Sequence, residues 1–142
     1  KVAAEYGVAC CLMHNREKAV YNNIILDMLE DLKESIDIAL NAGVRSENII
    51  IDPGIGFAKT YEENLLVMNQ LEKFTSLGYP LLLGTSRKSM IGNTLQLPTD
   101  QRVEGTIATT VVGIMKGCDF VRVHDIEQNR RAIVMTDTIV RR

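Results

Sequence analysis

IIIDPGIGFAKT, residues 49–60, is the stretch that decides the fold. Three consecutive isoleucines are typical of a strand that is buried on both faces, as in a parallel sheet. The strand ends at Asp52, and a proline and two glycines within the next four residues predict a turn. Ligands of parallel α/β folds bind at the carboxyl ends of strands, which makes Asp52 a candidate binding residue. The alternative is a carboxylate that only caps the backbone N–H groups of the turn.

An apolar run followed by a helical segment occurs four times along the chain. The runs are residues 8–13, 49–52, 80–84 and 120–124, and the helical segments are residues 17–42, 60–78, 99–117 and 125 onward. Apolar residues recur at three- or four-residue spacing in the helical segments, and Thr60 with Glu63 forms a capping-box pattern. Four such units predict an α/β protein with a parallel sheet, either doubly wound or half of a TIM (β/α)8 barrel.

Composition places the chain among globular proteins with one domain, residues 1–142. The chain is 46% hydrophobic and 24% charged, with a net charge of −2. No run reaches the about 20 apolar residues of a membrane span; no signal peptide is visible, and no basic run suggests a nucleic-acid partner. Cys10, Cys11 and Cys118 lack disulfide or zinc spacing, so we expect reduced thiols in a cytoplasmic protein.

Candidate binding residues stand at the end of each predicted strand. They are Met13, His14 and Asn15 after the first strand, Asp52 after the second, Thr85 to Ser89 after the third, and Arg122 and His124 in the fourth. Because the carboxyl ends of parallel strands open the same way, we expect these groups to converge on one site. A carboxylate, a lysine, and an arginine with a histidine suit a flat heterocycle joined to an anionic group.

Each of these residues also has a purely structural interpretation. The open alternatives are a solvated loop at Arg87 and Lys88, a satisfied strand-end histidine at His14, and an ion pair of Arg122 and His124 with Asp52 or Asp125. Taken singly, the residues do not decide between the two interpretations. Their common position at the same end of every strand favours a site.

Four stretches resemble the dihydropteroate synthase family. DPGIGFAKT (52–60), GTSRKSMIG (84–92) and FVRVHD (120–125) occur in the family's order, and LMHN (12–15) fits its preceding strand. The resemblance covers essentially the whole chain. It implies an eight-stranded (β/α) barrel and a transferase of folate synthesis, the sulfonamide target. That enzyme joins 6-hydroxymethyl-7,8-dihydropterin diphosphate to p-aminobenzoate and gives 7,8-dihydropteroate and diphosphate.

The resemblance also implies a role for each matched residue. Asp52 is expected to bind the pterin N3 and 2-amino group, and Lys88 the pterin O4/N5 edge beside the aminobenzoate site. The remaining expected contacts are Met13 and Gly84 with the pterin ring, Phe57 and Ser89 with p-aminobenzoate, and Arg122 and His124 with diphosphate. Catalytic functions are therefore expected of Lys88, Arg122 and His124, and no nucleophilic side chain is required.

The family's first four strands have no counterpart in this chain. We therefore expect it to correspond to strands 5–8, the C-terminal half of the barrel, and to be inactive alone. The Mg²⁺ ligands are expected in the missing half, so no metal ligand is assigned here. Exposed strand edges lead us to expect association with a second copy or with the missing half. The resemblance places the family's dimer contact near residues 103–117 and 126–140.

Two other interpretations stay open. A pterin-binding methyltransferase domain shares the barrel and the strand-end acid. The SRKS loop, residues 86–89, places a lysine where an arylamine is expected, and this favours the synthase. A non-catalytic fragment or assembly module would keep the motif residues without a working site.

Overall fold

The computed structural model describes residues 1–141, in which four short strands alternate with helices. The strands are β1 (Cys10–Met13), β2 (Ile49–Asp52), β3 (Leu82–Leu83) and β4 (Phe120–Val121). The helices are α1 (Val2–Tyr6), α2 (Ile24–Asn41), α3 (Tyr61–Asn69), α4 (Ser89–Leu95), α5 (Val103–Met115) and α6 (Ile126–Val140). Short 3-10 helices occupy Ser46–Asn48, Leu71–Leu77 and Thr99–Gln101. None of the helices within residues 1–141 is long and apolar enough to cross a membrane.

The four strands run parallel and in chain order. β1 pairs with β2, and β3 pairs with β4. A parallel bridge between Ile51 and Leu81 joins the two pairs, and the Ile51 N–H donates to the Pro80 carbonyl at 2.9 Å. The prediction of parallel βα units is therefore confirmed, although β3 and β4 are shorter than their apolar runs.

The two faces of this strand array differ sharply in burial. One face packs against the helices, and its side chains include Ile49, Ile51, Leu81 and Leu83, each at most 1% exposed. Strand residues alternate between faces, so the opposite face carries Cys11, Met13, Ile50 and Phe120, followed by Asp52 and Arg122 at the strand ends. We call this second set the open face. Phe120 is 47% and Met13 37% exposed there, so residues 1–141 leave much of the open face uncovered, although Asp52 at its end is buried.

Helix α2 carries the apolar stripe that the spacing predicts. Ile25, Met28, Leu32, Ile36 and Ala39 are all buried. The helix begins at Ile24 rather than near residue 17, because Asn23 is its N-cap and accepts a hydrogen bond from the Leu26 N–H at 3.2 Å.

Helix α3 opens with the predicted capping box. The Thr60 side chain accepts from the Glu63 N–H, and the Glu63 carboxylate accepts from the Thr60 N–H. The α-helix ends at Asn69 and a 3-10 helix continues, so the single helix expected over 60–78 is two elements. Its buried members include Leu71 and Phe74, each 0% exposed.

The predicted loop after the third strand contains a further helix, α4. Helix α5 packs on it through Gly105, where a Cβ atom would lie 2.3 Å from Ile91. Gly113 similarly lets α5 approach β3, since a Cβ there would lie 2.5 Å from Leu83. Gly105 and Gly113 of α5 therefore allow close packing against both a helix and a strand.

Replacing Leu32 by alanine tests the apolar stripe of α2. Leu32 is 0% exposed, so Leu32→Ala is expected to lower the free energy of unfolding by about 2–5 kcal/mol. Leu26→Ala on the same helix is the matched control, because Leu26 is 57% exposed, and we expect a change within about 0.5 kcal/mol. Urea unfolding followed by circular dichroism measures both, and equal losses would contradict the assigned face.

Candidate functional site

Asp52 ends β2 with one carboxylate oxygen engaged and the other free. Its Oδ1 accepts a hydrogen bond from the Gly54 N–H at 2.7 Å. Its Oδ2 has no hydrogen-bond partner among residues 1–141, although the residue is only 4% exposed. The turn-capping interpretation is thus correct for one oxygen, and the second oxygen remains available to a ligand.

The turn after Asp52 packs closely against the end of β1. Gly54 has φ +67°, and a Cβ atom there would lie 2.0 Å from the His14 carbonyl oxygen. No other residue fits this position, because both the backbone conformation and the contact exclude a side chain. The glycine therefore fixes how the carboxylate projects.

Positive groups surround the Asp52 carboxylate. Burial raises the pKa of Asp52, while the Gly54 N–H and the charges of Lys88, Arg122 and Lys59 act in the opposite direction. Three cations from three different strand ends thus lie near one buried acid. This convergence is the arrangement that the parallel topology predicts.

Lys88 reaches from the third strand end to the second. Its ammonium donates to the Ile55 carbonyl and lies 4.7 Å from the centroid of the Phe57 ring, a cation–π contact. Its Cδ would lie 3.2 Å from a Cβ atom at Gly56, so a glycine is needed for this approach. Burial lowers the pKa of Lys88, and the Asp52 carboxylate opposes that effect.

The loop that carries Lys88 is fixed by a bidentate ion pair. Arg87 has φ +60°, and its guanidinium donates to Asp125 through Nη2 at 2.7 Å and Nε at 3.1 Å. The Arg87 carbonyl accepts from Arg102 Nη1 at 2.8 Å, and the Arg87 N–H donates to Thr106 Oγ1 at 3.1 Å. Arg87 is therefore held by an ion pair although a third of its side chain is exposed, and Asp125, at the N-cap position of α6, binds Arg87 and makes no side-chain cap hydrogen bond.

Arg122 and His124 line a cavity of about 130 Å³. Arg122 packs on Gly84, where a Cβ atom would lie 3.1 Å from Nη2. Its guanidinium makes no hydrogen bond or ion pair with any of residues 1–141, so the internal ion pair considered for it is not formed. His124 hydrogen-bonds Ser86. Ser86 and Lys88 also line the cavity, which is therefore rich in cations and donors.

His14 belongs to a buried network beneath the turn. Its Nε2 lies 2.9 Å from Asp31 and its Nδ1 lies 3.0 Å from Lys59 Nζ. Because an ammonium only donates, Nδ1 accepts and Nε2–H donates to Asp31. His14 is thus the satisfied strand-end histidine of the structural interpretation, at 3% exposure.

Lys59 ties the same network to the turn. Its ammonium donates to the Gly54 carbonyl at 3.0 Å and to the Phe57 carbonyl at 2.9 Å. Burial lowers the pKa of Lys59 to about 8. Burial and the Lys59 charge also lower the pKa of His14, whereas Asp31 raises it. The Arg16 guanidinium, in turn, lowers the pKa of Asp31.

The remaining candidates lie around this mouth. Met13 pairs with Asp52 in the strand register and is 37% exposed on the open face. Phe57 is 38% exposed on the turn, and Ser89 is the exposed first residue of α4. Their contacts with a ligand stay predictions.

Sequence reasoning missed three residues that hold the site in place: Lys59, Asp31 and Arg102. Lys59 lies in the glycine-containing turn after Asp52, and a lysine at this position could have been predicted to bind the carbonyl groups of the turn. Asp31 and Arg102 lie on or beside helices, 17 and 15 residues from their partners. No local pattern marks such long-range contacts.

The chain belongs to the family of pterin-binding enzymes, whose model matches residues 1–124. It is 66% identical to a dihydropteroate synthase of Clostridium beijerinckii over the whole chain and 53% of that protein. It is 58% identical to a dihydropteroate synthase of Bacillus subtilis over 98% of the chain and 49% of that protein. The chain thus spans about half the length of the curated relatives it matches.

Solved structures of dihydropteroate synthases are similar to this chain as well. A Clostridium difficile dihydropteroate synthase crystallised in the presence of pteroic acid superposes with a TM-score of 0.98 at 46% identity, over 99% of this chain and 54% of that one. The Yersinia pestis enzyme with a sulfonamide drug complex gives 0.93 at 31% identity, over 96% and 53%. With its parallel strands, the chain therefore has the α/β fold of part of a TIM barrel, as the sequence predicts.

The buried histidine gives a prediction for pH dependence. The folded-state pKa of His14 is lowered, so as pH falls below about 6.5 the unfolded chain takes up a proton that the folded chain resists. The free energy of unfolding of the wild type is therefore expected to fall between pH 7.5 and pH 5.5. This decrease should be on the order of 1 kcal/mol larger than the decrease in His14→Gln. Urea unfolding at both pH values measures this difference, and parallel losses in the two proteins would refute the assignment.

Proposed function

We propose that this chain supplies the pterin- and diphosphate-binding half of a dihydropteroate synthase. The observation that carries the proposal is the convergence of a half-free buried carboxylate, Asp52, with Lys88 and Arg122 at one mouth. A carboxylate oxygen accepts hydrogen bonds from a donor-rich pterin edge, and the cations bind its diphosphate. The names of the relatives, and the pteroic acid of one solved neighbour, support the same substrate class.

In the proposed reaction these residues position the substrates and stabilise the charge that develops. The bond between the pterin methylene carbon and the diphosphate oxygen breaks, and diphosphate leaves with the electron pair. The arylamine nitrogen of p-aminobenzoate forms the new C–N bond and then loses a proton to solvent or diphosphate. Arg122 and Lys88 face the departing anion as cations and His124 faces it as a hydrogen-bond donor, and preorganised groups of this kind lower the barrier.

Four further residues around the mouth, of which Met13, Phe57 and Ser89 are exposed and Gly84 is buried, complete the two substrate sites. Met13 and Gly84 pack on the pterin ring, and Phe57 and Ser89 contact p-aminobenzoate. The cation–π contact of Lys88 with Phe57 supports a lysine that serves both sites. These four roles are the ones that the family resemblance implies for the matched residues.

Magnesium has no site that fits among the described residues. Residues 1–141 contain no group of three or more histidine, cysteine, aspartate or glutamate side chains that could hold a metal ion. Asp52 is surrounded by cations, which disfavour a further positive ion. We expect the Mg²⁺ ligands to lie in the other half of the enzyme.

The open face is the surface on which the rest of the barrel would pack. The outer edges of β1 and β4 are unpaired within residues 1–141, and unpaired parallel edges favour strand addition. Relatives of about twice the length support a further set of βα units as the occupant, and a second copy of this chain is the alternative.

Two further expectations belong to the proposal. The outer surfaces of α5 and α6 expose Met115, Val134 and Met135, each at least 57% exposed, and we assign to them a contact between enzyme copies. Free thiols at Cys10, Cys11 and Cys118 support a reducing, cytoplasmic location.

A complementation assay tests the proposal directly. The chain is mixed with the part of the Clostridium beijerinckii relative that the match does not cover, in Mg²⁺ buffer. Dihydropteroate formation is expected from the mixture and from neither half alone, and Lys88→Met is expected to abolish it. Activity of this chain alone would contradict the half-site assignment.

The same assay separates the other two interpretations. Methyl transfer from methyltetrahydrofolate, with no incorporation of p-aminobenzoate, would favour a pterin-binding methyltransferase. A mixture that assembles but binds no pterin diphosphate in calorimetry would favour a non-catalytic module.

The substitution Asp52→Asn tests whether the Asp52 carboxylate binds the pterin edge. The asparagine oxygen can keep the hydrogen bond from the Gly54 N–H. The amide NH₂ then faces the donor edge of the ligand, where it can accept no hydrogen bond. We expect pteroic acid to bind about 10- to 100-fold more weakly, as for loss of a charged hydrogen bond. Calorimetry on the complemented enzyme measures this, with Asp37→Asn on the exposed side of α2 as the control. Equal affinity in both variants would remove Asp52 from the site.

A further inference from the structure

Ser86 holds His124 at two points through a single hydroxyl. Its Oγ lies 3.1 Å from the His124 backbone nitrogen and 2.9 Å from the ring Nδ1. The backbone N–H can only donate, so the hydroxyl oxygen accepts it. The one hydroxyl hydrogen is then left for the ring.

The position of that hydrogen decides the tautomer of the neutral ring. If the hydroxyl donates to Nδ1, then Nδ1 is unprotonated and Nε2 carries the hydrogen. In the other tautomer Nδ1–H would donate to Oγ, and the hydroxyl hydrogen would have no acceptor among residues 1–141. Ser86 is only 7% exposed, so that loss would be costly.

The same hydroxyl also accommodates the protonated ring. When His124 is charged, both ring nitrogens carry hydrogens, and Nδ1–H donates to a second lone pair of Oγ. Nε2 therefore carries a hydrogen in both charge states. It has no partner among residues 1–141, and His124 lines the cavity that Arg122 and Lys88 also line.

We infer that Ser86 is a positioning residue that keeps Nε2–H of His124 available as a hydrogen-bond donor to the anion, whatever the charge of the ring. The inference deepens the proposed function and rests on the diphosphate site assigned there. Arg122 and Lys88 supply the positive charge of that site. Asp125, the adjacent acid, is engaged by Arg87. His124 should therefore donate the same hydrogen bond to the anion in either charge state.

Nuclear magnetic resonance of the histidine ring nitrogens tests the tautomer. The chain has two histidines, so a His14→Gln background leaves His124 as the only ring signal. At pH 8.5, where an ordinary imidazole is neutral, we expect Nε2–H in the wild-type site and in Ser86→Thr, which keeps the hydroxyl. Ser86→Ala should show mixed tautomers, and Ser76→Ala, at an exposed serine, should not. An Nδ1–H ring in the wild-type site would overturn the inference.

Binding of inorganic diphosphate tests the consequence. Calorimetry uses the chain alone and mixed with the complementary half, at pH 6.0 and 8.5, and compares each variant with wild type at the same pH. Ser86→Ala should bind within twofold of wild type at pH 6.0 and about 3- to 10-fold more weakly at pH 8.5, and Ser86→Thr should restore binding. An equal effect at both pH values would overturn the positioning role.

The two hypotheses fail in distinguishable ways. If wild type binds no diphosphate in either form, the proposed function fails, and the anion role of His124 fails with it. If wild type binds diphosphate but Ser86→Ala leaves both the tautomer and the pH profile unchanged, only the inference about Ser86 fails.

Discussion

The alternation of side chains across four parallel strands is the constraint on which the rest of the structure depends. One set, represented by Ile51 and Leu83, is buried under the helices and holds the strands in place. The other set must then point to the open face, and its last members are Asp52 and Arg122. Removing the apolar face would therefore disrupt the site as well, since the strands set the direction in which Asp52 and Arg122 leave the sheet.

Beyond the strand ends, the loops are held by polar contacts that have no direct role in ligand binding. Lys59 binds two carbonyls of the turn after Asp52, and Arg102 binds the carbonyl that precedes Lys88. Arg87, in a left-handed conformation, is fixed by Asp125. A buried ammonium or guanidinium satisfies several carbonyls at once, which explains how short glycine-containing loops keep one conformation. Such preorganisation fixes the position of Lys88 before the ligand binding that we propose for it.

Much of this could be predicted from the sequence because it is local. The isoleucine run predicts the buried strand, the spacing in α2 predicts its buried face, and Thr60 with Glu63 predicts the start of α3. Helix α4 was missed because its stability is tertiary: Gly92 admits the Arg102 side chain, and a Cβ there would lie 2.3 Å from the guanidinium. Strand lengths could not be predicted either: β4 spans only Phe120–Val121 of the apolar run 120–124, and no residue type in that run marks its end.

Charge pairing explains why a cationic mouth can exist in a chain with a net charge of −2. Two of the arginines beside the site are matched by carboxylates, Arg16 by Asp31 and Arg87 by Asp125. Arg122 has no such partner among residues 1–141, and its charge, like that of Lys88, acts on the buried Asp52 carboxylate. The uncompensated charge is thus concentrated on the side chains that face the cavity. An anion that enters there gains the attraction of cations that the protein has left unpaired, while the paired arginines keep the walls in place.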